Sequence, residues 1–168
     1  GLGGAGFPPA TKLATDKPVH TLILNGAECE PYICCDERLM RERAAEVVEG
    51  GRILMHVLGV ELALIGVEDS MTEAIEALWT AIRASGDERL HVELVPTQYP
   101  AGGERQLTYL LSGQEVPSGR YPEALGYVVQ NVMTAAAVYR AVVLGEPLIS
   151  RIVTVAGEGV ADPGNYEV

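Results

Sequence analysis

Four short segments concentrate the residue types that hold ligands. The first, Gly1-Leu2-Gly3-Gly4-Ala5-Gly6-Phe7-Pro8-Pro9-Ala10-Thr11-Lys12, places four glycines in six positions. Glycine removes the side chain where a backbone must approach a flat or phosphorylated ligand closely. Phe7 adds a ring for stacking, and Lys12 a cation for a phosphate or an electron-rich ring edge. Gly1, Gly3 and Gly6 match GxGxxG, but Phe7-Pro8-Pro9 stands where the helix of a dinucleotide fingerprint would open, so that fingerprint is set aside. A ligand loop and an ordinary flexible segment both fit this composition. The second segment, Asn25-Gly26-Ala27-Glu28-Cys29-Glu30-Pro31-Tyr32, follows a short apolar run. Asn25 can donate and accept together, which suits a hydroxyl-rich chain or an amide-like ring edge. Glu28 and Glu30, two apart, would face opposite ways in an extended segment; a solvated acidic loop is the plain alternative. The third, Tyr99-Pro100-Ala101-Gly102-Gly103-Glu104-Arg105, is a glycine-rich turn leading into a helix, whose N-terminus favours anions. The fourth, Gln130-Asn131-Val132-Met133-Thr134, heads another helix. There Asn131 and Thr134 fit either a helix cap or a phosphate held by free amides.

Other chemistries are disfavoured. His20, His56 and His91 are scattered without ligand spacing. Cys29, Cys34 and Cys35 fall within seven positions but form no CxxC, so this segment alone is not expected to hold zinc or an iron–sulfur cluster, and no residue is assigned to a metal. An odd, clustered cysteine count points away from a disulfide framework and towards a reducing compartment, with small buried or half-buried thiols the plain reading. Cys29 lacks the flanking glycines and the histidine of a nucleophile elbow, which argues against a hydrolase.

These segments need a scaffold, and the chain is long enough to build one. Its 168 residues suit a single domain that buries most of its apolar surface. At 48% hydrophobic and 21% charged it reads as a packed globule. A net charge of −11 with no Lys/Arg run argues against nucleic acid as a partner. Strand patterns over 21–24, 62–67, 91–95 and 152–156 alternate with helical patterns over 38–58, 72–84, 103–111 and 131–144. Ser70 and Glu73 are placed for a capping box on the second of these helices. Apolar strands between helices predict an α/β fold, a Rossmann-like and mostly parallel sheet with helices on both faces. Both ends read as cut, so an excised piece of a longer protein is expected.

Taken in order, GLGGAGFP (1–8), NGAECEPY (25–32), DERLMRERA (36–44), YPAGGERQL (99–107), EVPSG (115–119) and GEPLISRIVTVAGE (145–158) resemble the RnfC family, the C subunits of the Rnf (Rsx) electron-transport complexes. That family is similar in turn to the NADH-oxidising flavoprotein subunit of respiratory complex I. The resemblance spans nearly the whole chain. It implies the FMN-binding core fold of that flavoprotein over 1–150, the start of a truncated β-grasp-like module over 151–168, and a C-terminal region, absent from this chain, that carries two 4Fe–4S clusters. It also implies FMN as cofactor and hydride transfer from NADH. Gly1, Gly3, Gly4, Lys12, Asn25, Glu28 and Cys29 would meet the flavin, with Phe7 and Glu30 on the nicotinamide side. Tyr99, Gly102, Gly103 and Glu104 would form the opposite wall, with Asn131 and Thr134 near the phosphate. Implied partners are the other subunits of the membrane complex, NAD(H), and ferredoxin or an equivalent acceptor, at the cytoplasmic face of the membrane. Ala27 and Gly103 stand where the complex I relative has acidic residues, and Leu2 where it has arginine, which thins the flavin contacts. A related corrinoid reductase with similar glycine-rich and AECEP motifs is an alternative, as is a docking module that binds no nucleotide.

Overall fold

The computed structural model describes residues 6–168; Gly1, Gly3 and Gly4 lie outside them. Its centre is a four-stranded, fully parallel sheet in the order β3-β2-β1-β4. The strands are β1 (Thr21–Gly26), β2 (Ala63–Glu68), β3 (Leu90–Val95) and β4 (Tyr127–Asn131). β1 is internal, and Leu22, Ile23 and Leu24 are wholly buried. That explains why it reads as a continuous apolar run rather than an alternating one.

Alternate residues of β1 serve two separate cores. Leu22 and Leu24 face α2 (Cys35–Glu42), α3 (Ala44–Leu58), α4 (Thr72–Ser85) and α6 (Val132–Tyr139). Ile23 faces the smaller core, with Leu107 of α5 (Glu104–Ser112) and with Tyr127 and Val129 of β4. Helices therefore cover both faces, as the apolar strands predict. The closest helix contact is between α3 and α6: a Cβ on Gly50 would collide with the Ala135 carbonyl, so glycine there sets how near the two axes come.

Several elements differ from the sequence expectation. The long helix expected over 38–58 is two helices meeting at Arg43, whose backbone leaves the helical region (φ −136°, ψ 37°). The break lets α2 lie along α4 while α3 turns onto α6. No capping box forms on α4. Its N-cap is Met71, Ser70 accepts a hydrogen bond from the Thr97 hydroxyl (2.7 Å), and Glu73 pairs with Arg41 (3.1 Å). β4, α1 (Pro9–Leu13) and β6 (Gly164–Glu167) are elements that the sequence patterns did not resolve. α6 continues as a π-helical segment, Arg140–Leu144, matching the expected extent of that helix. β5 (Ile152–Val155) and β6 pair antiparallel in a sheet of their own, not hydrogen-bonded into the parallel one.

The strand order decides where a ligand belongs. The chain runs outward from β1 to β2 to β3, then returns to the other side of β1 as β4. The carboxyl ends of β1 and β4 thus flank a topological switch point, where open α/β sheets bind ligands.

Candidate functional site

Asn25 and Asn131 face each other across that switch point, paired in the β1–β4 register. Asn25 uses both ends of its amide: Nδ2 donates to the Gly102 carbonyl (2.9 Å) and Oδ1 accepts from the Ala27 amide (3.1 Å). Asn131 ends β4 and caps α6, its Oδ1 accepting from the Met133 amide (2.8 Å). Its Nδ2 donates to Oδ2 of Asp36 (2.7 Å), a residue that sequence reasoning left unassigned. Thr134 is buried in the first turn of α6.

The third segment closes over these residues. A Cβ on Gly102 would overlap the Ala27 carbonyl and press on the Cys29 sulfur (3.1 Å), so only glycine lets this loop lie against the end of β1. Gly103 is the N-cap of α5. Behind it Glu104 binds Lys12 through both carboxylate oxygens (3.0 Å each), and Lys12 also donates to the Val129 carbonyl (2.9 Å). The ammonium stands 5.8 Å from the centre of the Phe7 ring. Residues 92 apart in the chain, one in the first segment and one in the third, thus form one unit bolted to β4. Tyr99 is exposed, at the edge of the site.

The acidic second segment divides its labour. Glu28 turns back onto the start of α2, accepting from the amides of Asp36 (3.0 Å) and Glu37 (3.1 Å) and from the Cys35 thiol (3.1 Å). A carboxylate at that position satisfies orphan amides and complements the helix dipole. Glu30 stays exposed. Burial, together with the nearby Glu28 charge, pushes Asp36 up to about 7, against the opposing Asn131 hydrogen bond. Burial, then the Glu28 hydrogen bond and charge, push the Cys35 thiol up to about 12. Glu68, at the end of β2, is also raised, by burial first and the Glu28 charge second. One oxygen each of Asp36 and Glu68 is buried with no hydrogen-bond donor among the described residues.

Two clefts open beside this centre. One, of about 620 Å³, is lined by Gly103, Glu104, Arg105, Arg120 and Tyr121. Arg105 is anchored on the Val116 carbonyl (2.6 Å), whereas the Arg120 side chain points to no protein acceptor among the described residues. The other, of about 360 Å³, is lined by Glu28, Glu30, Glu37, Glu68, Tyr32 and Tyr99. Arg120 and Asp36 were legible only as charged residues in polar stretches; proximity to the glycine-rich turn and to Asn131 gives them their place in the site.

Comparison with known proteins agrees with this fold. The chain is 55% identical over 166 residues to the C subunit of the ion-translocating oxidoreductase complex of Erwinia tasmaniensis, covering 98% of this chain and 20% of that protein. To the subunits of the same name from Yersinia pestis and Haemophilus influenzae it is 51% and 50% identical, covering 27% and 25% of their lengths. It therefore spans about a fifth to a quarter of the curated relatives that it matches. Its structure is similar to that of a chain of the NAD+-reducing NiFe hydrogenase, with a TM-score of 0.80 at 26% identity, over 98% of this chain and 33% of that one. The family model described as the Nuo51 FMN-binding domain matches residues 1–140, and the chain belongs to that family.

Proposed function

We propose that this chain is the FMN-holding core of the C subunit of an ion-translocating oxidoreductase complex, and that it receives hydride from NADH. The observation that carries the reading is the convergence of Lys12, Asn25, Glu104 and Asn131 at the switch point between β1 and β4. The residues present fit FMN. The third segment turns over the end of β1 at Gly102, where no Cβ has room, and Lys12 is a cation already fixed in place beside it. When bound, FMN supplies the step from two-electron hydride chemistry to single-electron transfer.

The chain's own residues bind and orient. Glu104 and the Val129 carbonyl hold the Lys12 ammonium still, so little side-chain freedom is lost when it meets a flavin edge. Gly102 keeps the third segment close against the end of β1, and Asn131 fixes the first turn of α6, whose amides suit a terminal phosphate. Phe7 is half-exposed beside Lys12, available to stack on a nicotinamide or adenine ring. Arg120 is available to a diphosphate in the larger cleft. No residue need act as a general acid or base. Gly1, Gly3 and Gly4, by family resemblance, complete the flavin cradle; Cys29, Glu28 and Glu30 line its acidic side.

The same reading extends to the whole protein. The separate β5–β6 sheet supports a second, β-grasp-like module beginning near residue 151, with the two 4Fe–4S clusters beyond it. No helix among the described residues is long and apolar enough to cross a membrane; the likeness to subunits of ion-translocating oxidoreductase complexes supports a peripheral place on the cytoplasmic face, held by other subunits. Electrons would then pass to ferredoxin or an equivalent acceptor. Anaerobic addition of NADH to the FMN-loaded chain tests the function: loss of flavin absorbance at a rate that saturates with NADH supports it. A flavin that binds but stays oxidised would assign the chain to cofactor holding or docking alone.

A further inference from the structure

The first turn of α2 gathers a group of which the flavin reading uses only Glu28, as a lining residue. A carboxylate oxygen of Glu28, the Cys35 sulfur and a carboxylate oxygen of Asp36 all lie within 4.8 Å of one another. Acidic neighbours alone would mean little, but Asp36 is only 8% exposed and presents an oxygen with no donor among the described residues. The adjacent Glu68, outside the trio, likewise buries an unpartnered carboxylate oxygen. Two buried acceptors left without donors, around a third carboxylate and a thiol, mark a place short of positive charge.

We propose that Glu28, Cys35 and Asp36 form a binding site for a thiophilic divalent cation of the zinc class. Bonds of ~2.0–2.3 Å to nitrogen, oxygen and sulfur donors place tetrahedral ligands roughly 3.5 Å apart; Cys35 and Glu28 already stand 3.1 Å apart, and no pair in the trio is more than 4.8 Å apart, so only small side-chain shifts are needed. The outer contacts suited to such a site are already made. Asn131 holds Oδ2 of Asp36 (2.7 Å), and the Asp36 and Glu37 amides orient Glu28 (3.0 and 3.1 Å). The mixed sulfur and oxygen set selects zinc or cadmium over magnesium or calcium. Glu28 also lines the smaller cleft, which gives an ion a way in and leaves a fourth position for water. On binding, the S–H bond of Cys35 breaks and the sulfur–metal bond forms. The proton, which in the metal-free chain points to Glu28, leaves to solvent, and the metal's oxidation state does not change. Glu28 is shared with the flavin reading, where it lines the acidic side of the cradle, whereas Cys35 and Asp36 are not; none of the three ligands needs FMN present, so the metal-free, flavin-free chain is a sufficient test.

The test uses the purified 168-residue chain after chelator treatment, with Cd2+ and Zn2+ as probes. Cadmium titration is expected to give an ultraviolet sulfur-to-cadmium band that saturates at one metal per chain, with at least one proton released per metal. Zinc is expected to protect Cys35, rather than Cys29 or Cys34, from alkylation mapped by mass spectrometry. This readout needs no variant. Cys35→Ser should weaken cadmium binding roughly a hundredfold or more, since even outer-contact losses cost 10–100-fold, while Cys34→Ser should leave it unchanged. An undiminished band in folded Cys35→Ser, or protection at Cys34 or Cys29 instead, would overturn the proposal.

Discussion

The contact between Gly102 and the end of β1 gives a sharp test, because the next residue is a built-in control. In Gly102→Ala the new methyl overlaps the backbone carbonyl of Ala27, which no rotamer change can relieve. In Gly103→Ala it meets the Pro100 carbonyl at 3.2 Å and otherwise only ordinary contacts. Relieving the Gly102→Ala overlap means lifting the third segment from β1, at ~1–3 kcal/mol for overpacking. It also loosens the hydrogen bond from Asn25 to the Gly102 carbonyl, worth ~0.5–1.5 kcal/mol. The sum is about 1.5–4.5 kcal/mol, and at ~2–4 °C per kcal/mol for a chain of this size it lowers Tm by roughly 3–18 °C. Gly103→Ala, at a helix N-cap where Ala is disfavoured relative to Gly, should cost about 1 kcal/mol. Thermal melts followed by circular dichroism decide between them. If the two variants melt within about 2 °C of each other, the close approach at Gly102 does not set the geometry of the site.

Three further outcomes follow from named contacts. Lys12→Met removes the charge that Glu104 and the Val129 carbonyl hold in place; at ~1.5–3 kcal/mol for charged hydrogen bonds, FMN affinity should fall roughly 10–100-fold, read by fluorescence titration. Hydrogen bonds from Arg89, and from Arg52 on the other side, hold the Asp87 carboxyl well below the usual carboxylate range. Its depressed value means that it stabilises the fold above its ordinary pKa of ~3.9 and loses that contribution as pH falls below it, so Asp87→Asn should flatten the acid limb of a stability–pH curve below about pH 4. Exposed Cys34 should be alkylated well before Cys35, whose thiol is half-buried and pushed up to about 12; a peptide map showing Cys35 modified first would contradict that picture.

How far the sequence could be read depended on whether neighbours in space were also neighbours in the chain. β1 and β2 were legible as apolar runs bounded by polar residues, and β3 as a short alternating stretch ended by Pro96; the α/β class followed from their alternation with helices. β4 was not: Tyr127–Asn131 is five residues long and runs directly into α6, and the only pattern read there began at Asn131, as the head of a helix. Losing β4 also hid the switch point, although Asn131 was picked out by its residue type. The break at Arg43 was invisible because Met40, Ala44, Val47 and Leu54 keep helical spacing across it and all face the same core. Ser70 made an attractive cap by spacing alone, but Thr97, from beyond β3, binds its hydroxyl instead.

The site shows the same division. Lys12 and Glu104 were each singled out, yet nothing in spacing says that residues 92 apart share hydrogen bonds. Glu28 was singled out as a ligand contact; it lines the smaller cleft, and nothing in the sequence says that the amides of α2 also hold its carboxylate. Asp36 opens a run of alternating charges that reads as a solvated helix face, and only the position of α2 beneath Asn131 buries it. The trio Glu28, Cys35 and Asp36 has no metal-ligand spacing, since a loop folds the first back onto the other two.

The most direct measurement for the central claim is an FMN titration of the purified chain, with folding checked by circular dichroism and occupancy counted by flavin fluorescence. The account predicts saturable quenching at one FMN per chain, weakened in Lys12→Met. A folded chain that shows no quenching up to high micromolar FMN would contradict the claim that the switch point between β1 and β4 holds a flavin.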